Sequence, residues 1–344
     1  MSVVTSRKSH MAERVVFVDG QAGCGKSMFS RIIASLERVE LLTFSYEIEY
    51  FCALQFLGKL SSDATQTLIR LKSDLQLYNL MMGREANFRP SDLSSVFSDH
   101  NPTRYFQRLM LPGDEAIPEN VRRERPILNL ATHQLLPFSE PIWQSLGNRC
   151  VFVEVVRHPL YMVRQQELNM VRLPGDVRDF LLNIEYKGHE FPFYAHGWEY
   201  LLVDASPMEQ TIHSIDQLTG RTEKMKRQMK EKYDALILTV PFEPFVLDPE
   251  PWLTKIADAL ETNIVDSTRK VMLDQNVPRD KIAQGIDSEI YRRCGWTPPR
   301  EDTDEREELK VRREDAARTT SKEVLVILDR LCDEYEKKYW SPEF

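Results

Sequence analysis

An α/β fold, with a mostly parallel sheet layered between helices, is predicted by three features of this sequence. Short apolar runs rich in β-branched residues recur at 15–18, 127–130, 151–156, 201–203 and 235–240, and runs that are apolar throughout, rather than alternating, read as strands buried on both faces. The stretches between them are long enough for right-handed helical crossovers. The chain has 344 residues, 42% hydrophobic and 10% aromatic, enough to bury a sizeable core.

Partners and compartment are bounded by composition. No stretch reaches the roughly 20 apolar residues that span a bilayer, so no membrane partner is expected. Lys plus Arg number 45 against 53 Asp plus Glu, a net charge of −8, which disfavours bulk binding to nucleic acid. Any anionic ligand must be held by a specific site. The five cysteines, Cys24, Cys52, Cys150, Cys294 and Cys332, are far apart and lack zinc-site spacing; with a polar, basic stretch at 1–13 in place of an apolar leader, they suggest a reducing, cytoplasmic setting.

The first strand ends at Asp19 and runs into Gly20-Gln21-Ala22-Gly23-Cys24-Gly25-Lys26-Ser27-Met28, after which Phe29, Ile32, Ile33 and Leu36 recur at helical spacing. Strand, glycine loop and helix are the context that makes GxxxxGK[ST] a phosphate-binding loop. Glycines let backbone N–H groups wrap a phosphate at a helix N-terminus, where the dipole adds favourable partial charge. Lys26 is expected to reach terminal phosphate oxygens and Ser27 to ligate Mg²⁺, with Asp19 either orienting metal-bound water or only closing the strand. Cys24 is either a small residue that fits or, near the helix N-terminus, a thiol of lowered pKa.

A mostly helical insertion at 45–120 should cap the sheet's edge, with a helix over 64–82 behind the capping candidates Ser61, Ser62 and Asp63. A second insertion at 165–200 contains a hairpin with Lys187-Gly188 at its turn and the aromatics Tyr186, Phe191, Phe193, Tyr194 and Trp198, which form core or line an acceptor pocket. It is expected to act as a lid. Asp204 follows a short apolar run in the manner of a metal-binding strand end. The basic stretch 221–232 reads as a solvated helix face. Residues 271–344 read as a charged, mostly helical appendage. In it Thr320-Ser321-Lys322-Glu323 fits a capping box, and Leu325, Leu328, Cys332, Tyr335 and Tyr339 share one helix face, suited to docking on the domain or to forming a homodimer.

His133 lies just past one strand end and Arg157 just past another, where open α/β sheets place ligands. An imidazole can take a hydroxyl proton at neutral pH, and a guanidinium suits phosphate, unless it pairs with Glu154 or Glu167. His158 and Arg164 stand nearby in sequence. Here Thr132-His133-Gln134-Leu135-Leu136-Pro137, then Arg157-His158-Pro159, then Phe242-Glu243-Pro244-Phe245-Val246-Leu247-Asp248-Pro249, resembles in order the motifs of the sulfotransferase branch of P-loop proteins. The resemblance spans roughly 15–260. It implies that His133 is the catalytic base and that Arg157 binds the 3′-phosphate of the donor. The chain departs from that family at Gly23, where it has Lys or Arg, at Ala131, often Lys, and at Gln165, a Ser; it also lacks the glycine-rich 3′-phosphate clamp near the C-terminus.

The full expectation is a P-loop three-layer sandwich with a mostly parallel sheet, helical insertions and a C-terminal helix, its transferase core over 1–270. Lys26-Ser27 is the pair that binds a nucleoside triphosphate with Mg²⁺. The leading reading is therefore an ATP- and Mg²⁺-dependent kinase that moves the γ-phosphoryl to a hydroxyl. In it Lys26, His133 and Arg157 are catalytic, and residues 20–28 and Arg164 bind the donor. The alternatives are a sulfotransferase using 3′-phosphoadenylyl sulfate and a nucleotide-dependent switch or assembly protein.

Overall fold

The computed structural model describes residues 3–172, 176–177, 179–285, 295 and 304–340; Cys294 and the charged stretch before residue 304 lie outside them. Five strands, β1 (Arg14–Asp19), β2 (Thr43–Phe44), β3 (Ile127–Ala131), β4 (Cys150–Val156) and, after a separate hairpin β5 (Asn183–Tyr186) and β6 (His189–Pro192), β7 (Ile237–Pro241), form the main sheet, and the hairpin forms a second. The main sheet has the order β2-β3-β1-β4-β7 and is parallel throughout. Every one of its strands therefore ends at the same edge, and the segments that follow β1, β3 and β4 meet there.

The apolar runs explain the layering. Alternate residues of β1 point to opposite faces: Val15 and Phe17 enter one buried cluster, Val16 and Val18 another. Phe17 stacks on Phe152 with ring centres 4.8 Å apart, and each such buried ring is worth about 1.5–3 kcal/mol of transfer free energy. Helices α1 (Lys26–Ala34) and, beyond the strands, α9 (Phe242–Leu247), α10 (Glu250–Leu260) and α11 (Asp266–Asp274) lie on the Val16 face.

The 45–120 insertion is helical as expected, with α2 (Tyr46–Phe56), α3 (Ser62–Met82), α4 (Thr103–Leu109) and α5 (Ile117–Glu124), and it sends Ile48, Ile69, Leu77 and Val121 into the cluster that holds Val15 and Phe17. It is pinned by a buried ion pair: Arg108 Nη1 and Nη2 each lie 2.8 Å from a carboxylate oxygen of Glu40. Burial opposes the charge on Glu40, but Arg104 and Arg108 prevail and hold its pKa below the ordinary value. Helices α6 (Glu140–Leu146) and α7 (Pro159–Arg172) precede the hairpin, whose Lys187 and Gly188 both adopt positive φ, the geometry of a tight two-residue turn.

Two expectations about the later chain are corrected. Residues 201–203 form no strand: the backbone closes helical turns, Leu201 N to Trp198 O and Leu202 N to Glu199 O, and leaves Asp204 on an exposed turn away from any strand end. A run of three is too short for its period to decide. The basic stretch belongs to α8 (Pro207–Tyr233), yet its Lys226 ammonium is not solvated; it donates to Glu154 at 2.7 Å and to Thr239 at 2.7 Å.

Helices α12 (Glu305–Ala317) and α13 (Lys322–Tyr339) pack on α7 and α8, and Val324, Leu328, Leu331 and Cys332 join the cluster there. The apolar face of α13 is thus covered by its own chain. The capping box at Thr320–Glu323 does not form. Ser321 is the N-cap without a side-chain bond, and its N–H instead donates to Glu209 at 2.9 Å, the same Glu209 that closes a capping box with Ser206 at the start of α8. One carboxylate ties two helix starts together. Among the described residues, no helix is long and apolar enough to cross a membrane.

Candidate active site

The loop from Gly20 to Ser27 connects β1 to α1, with Gly25 as the N-cap in left-handed conformation. Gly20 and Gly25 are required by close approach as well as by φ: a Cβ would sit 2.4 Å from the Val155 carbonyl oxygen at Gly20, and 2.5 Å from the Phe242 ring at Gly25. Lys26 Nζ folds back to donate to Gly20 O at 3.0 Å. Ser27 is exposed at the first turn of α1.

Neighbouring side chains brace the loop's carbonyls and leave its N–H face for a ligand. Gln166 Nε2 donates to Ala22 O at 3.0 Å and Arg157 Nη1 to Gly23 O at 3.0 Å. The Gln21 side chain turns away to Thr219 on α8, at 3.1 Å. Cys24 is buried, and burial, the largest influence, pushes its thiol pKa up despite Lys26; the thiolate reading is overturned and the reading of a small residue that fits stands. Asp19 accepts three hydrogen bonds, Oδ1 from Thr132 Oγ1 and Leu135 N at 2.8 and 2.9 Å, and Oδ2 from Leu136 N at 2.8 Å. These bonds fix the turn that carries His133.

His133 follows β3 and stands between Phe44 and Tyr46, ring centres at 5.9 and 5.4 Å. Its Nδ1 lies 3.1 Å from Glu49 Oε1, which also accepts the His133 N–H at 3.1 Å. With Nδ1–H donating to that buried carboxylate, Nε2 is the nitrogen left as an acceptor. Sequence reading missed Glu49; the available signal was an acid between Ile48 and Cys52 on the buried face of α2. His133, Glu49, Lys26 and Ala22 line one cavity of about 550 Å³, whose other lining residues include Phe180, Phe191 and Tyr194. The aromatics of the second insertion thus serve both core and cavity.

Arg157, at the end of β4, pairs with neither Glu154 nor Glu167. Its guanidinium rests on the Phe242 ring at 4.2 Å, with Nε 3.8 Å from Glu243. Against the same ring, at 5.5 Å, lies Arg279, a residue that sequence reading did not single out. Burial and the charge of Arg157 push Arg279 down to about 10, so the pair would be relieved by an anion. Arg279 Nη2 reaches Met28 Sδ at 3.9 Å. Arg164 pairs with Glu167 one turn along α7, and His158 is buried with Nε2 3.1 Å from Glu336 of α13. Among the described residues, no three His, Cys, Asp or Glu side chains converge as metal ligands.

No protein-family model and no curated protein sequence matches the chain. Among solved structures it is similar to the sulfotransferase domain of the Synechococcus PCC 7002 olefin synthase, at 12% identity over 97% of this chain and 98% of that one, TM-score 0.44. It is similar also to sulfotransferase STF9 from Mycobacterium avium, at 12% identity over 82% and 75% of the two chains, TM-score 0.41. A third likeness is to mouse sulfotransferase SULT7A1 complexed with PAP, at 11% identity over 95% and 85%, TM-score 0.38.

Proposed function

We propose that this chain is a nucleotide-dependent group transferase that moves a sulfuryl group from 3′-phosphoadenylyl sulfate to a hydroxyl acceptor. One observation carries the reading: the Glu49-held imidazole of His133 and the loop lysine Lys26 line the same cavity, so a proton acceptor and an anion-binding amine face one space. His133 Nε2 takes the acceptor's hydroxyl proton as its oxygen attacks sulfur. The sulfur–oxygen bond to the 5′-phosphate breaks, and adenosine 3′,5′-bisphosphate leaves. Glu49 stabilises the imidazolium so formed, while Lys26 and the loop N–H groups bear the charge developing on the leaving phosphate.

The sulfuryl donor is preferred to Mg²⁺-ATP on the residues present. Asp19, buried, spends three of its acceptor positions on the turn that carries His133, which disfavours it as a metal partner to Ser27. The Arg157–Arg279 pair beside Phe242 suits a further phosphate away from the loop. A second reading, the kinase, rests on the adjacency of Lys26 and Ser27.

Calorimetric titration separates the two. Adenosine 3′,5′-bisphosphate is expected to bind equally with Mg²⁺ and with EDTA, and Lys26→Ala is expected to abolish that binding. Binding of ATP that requires Mg²⁺, with none of the bisphosphate, would establish the kinase instead.

A further inference from the structure

The cavity that His133 faces is asymmetric in charge. Among its described lining residues the acids are Glu49, Asp179 and Glu190, the fixed cation is Lys26, tied to the loop, and the imidazoles are His133 and His189. No arginine is among them, although Arg157 and Arg279 stand beside the loop. The remaining wall is largely apolar and aromatic, with Tyr46 and Phe180 in contact at 6.0 Å. Tyr50, whose hydroxyl donates to Phe180 O at 2.5 Å, anchors that wall.

The field of these acids is felt by the phenols around the cavity. Burial first, then Glu49, raises the Tyr46 pKa; burial, then Glu49, Glu47 and Asp179, raise that of Tyr50. Tyr194 is pushed up to about 12 by burial, with Asp179 adding to the effect. A carboxylate or phosphate brought among these groups loses water and gains repulsion, whereas an ammonium loses water and gains attraction.

Resting on the transferase reading above, we propose that the acceptor is a small hydroxyl compound with an apolar or aromatic body that carries an amine, and that Asp179 and Glu190 select for its positive charge. The about 550 Å³ available lies within the range of small-molecule sites. Anionic acceptors, such as sugar phosphates or carboxylated phenols, are selected against. The arrangement assigns opposite charges to the two reactants: an anionic donor on the loop side and a cationic acceptor on the Glu49 side.

The test uses three phenols of one scaffold as probes, tyramine, 4-ethylphenol and 3-(4-hydroxyphenyl)propionate, titrated into the full chain with and without adenosine 3′,5′-bisphosphate. Tyramine is expected to bind at least about tenfold tighter than the propionate, with the neutral phenol between. In the double variant Asp179→Asn, Glu190→Gln the tyramine preference should fall to within about twofold. Glu190 is exposed and Asp179 half-buried, and the amide oxygen that Asp179→Asn introduces can still accept from Leu181 N, as the Asp179 carboxylate does at 3.0 Å. Equal or tighter binding of the propionate, no binding of any probe, or a preference unchanged in the double variant overturns the proposal. Bisphosphate binding is read on the same samples: its failure beside an intact amine preference strikes the donor reading, and its success beside a lost preference strikes this one.

Discussion

The two walls of the candidate site are built by opposite means. The loop wall is crowded: Gly20 and Gly25 leave no room for a Cβ, and the Ala22 and Gly23 carbonyls are each held by a side chain from beyond the loop. The His133 wall is hollow, lined largely by the two insertions, and shaped by aromatic rings and a hairpin only two strands wide. The difference suits the two tasks of the proposed transfer. Holding a phosphate needs fixed N–H directions, which a packed loop supplies, while an acceptor pocket needs volume and a charge pattern, which inserted segments can alter without disturbing the sheet.

That division can be broken by experiment, most strongly at His133. His133→Ala is expected to lower transfer about 10²–10⁴-fold while calorimetric binding of adenosine 3′,5′-bisphosphate stays unchanged; a parallel loss of both would show the walls to be one unit. Next in size is Arg108→Ala, which leaves Glu40 charged and buried without its fork of donors. It should destabilise the fold by about 3–5 kcal/mol in urea melts, with limited proteolysis cutting the 45–120 insertion before the loop region. On the other wall, Arg157→Ala should weaken bisphosphate binding by about 1.5–3 kcal/mol and leave tyramine binding as it was.

The smallest effect sharpens the comparison from the loop side. Glu209→Gln removes the charge that ties the starts of α8 and α13 together, at a loss of about 1 kcal/mol measured by thermal unfolding. Burial opposes ionisation of Glu209, yet hydrogen bonds from Ser321 and Ser206 win and bring its carboxyl down to about 2. A depressed folded pKa means stability present above the unfolded value of about 4.3 and lost as pH falls toward about 2. The wild type should lose this contribution over that interval in acid titrations, and the variant should not.

Local signals were legible in the sequence and long-range pairings were not. The glycine loop could be read because its strand, glycines and helix are contiguous, and the hairpin because Lys187-Gly188 fits a two-residue turn. Four of the five parallel strands were found, β2 being only two residues long. Glu49 meets His133 across 84 positions, and Arg279 meets Arg157 through a shared ring; neither separation leaves a trace in composition. Lys226 was misread for a related reason: a helical period says which face is apolar, but not that a lysine on its flank will find Glu154 at a strand. The capping box at Ser321 failed because Glu209, from another helix, offered its carboxylate to the same N–H.

The resting position of Lys26 has a consequence for selectivity. Its ammonium donates one N–H to the Gly20 carbonyl at 3.0 Å and keeps two for an incoming anion, so the tether sets where the charge stands before a ligand arrives. Chloride or a single inorganic phosphate, offering few contacts, would gain little from that placement. Under the proposed function, a nucleotide that also engages the loop N–H groups and a second cationic patch would gain most from it, so a tethered lysine would favour multidentate anions.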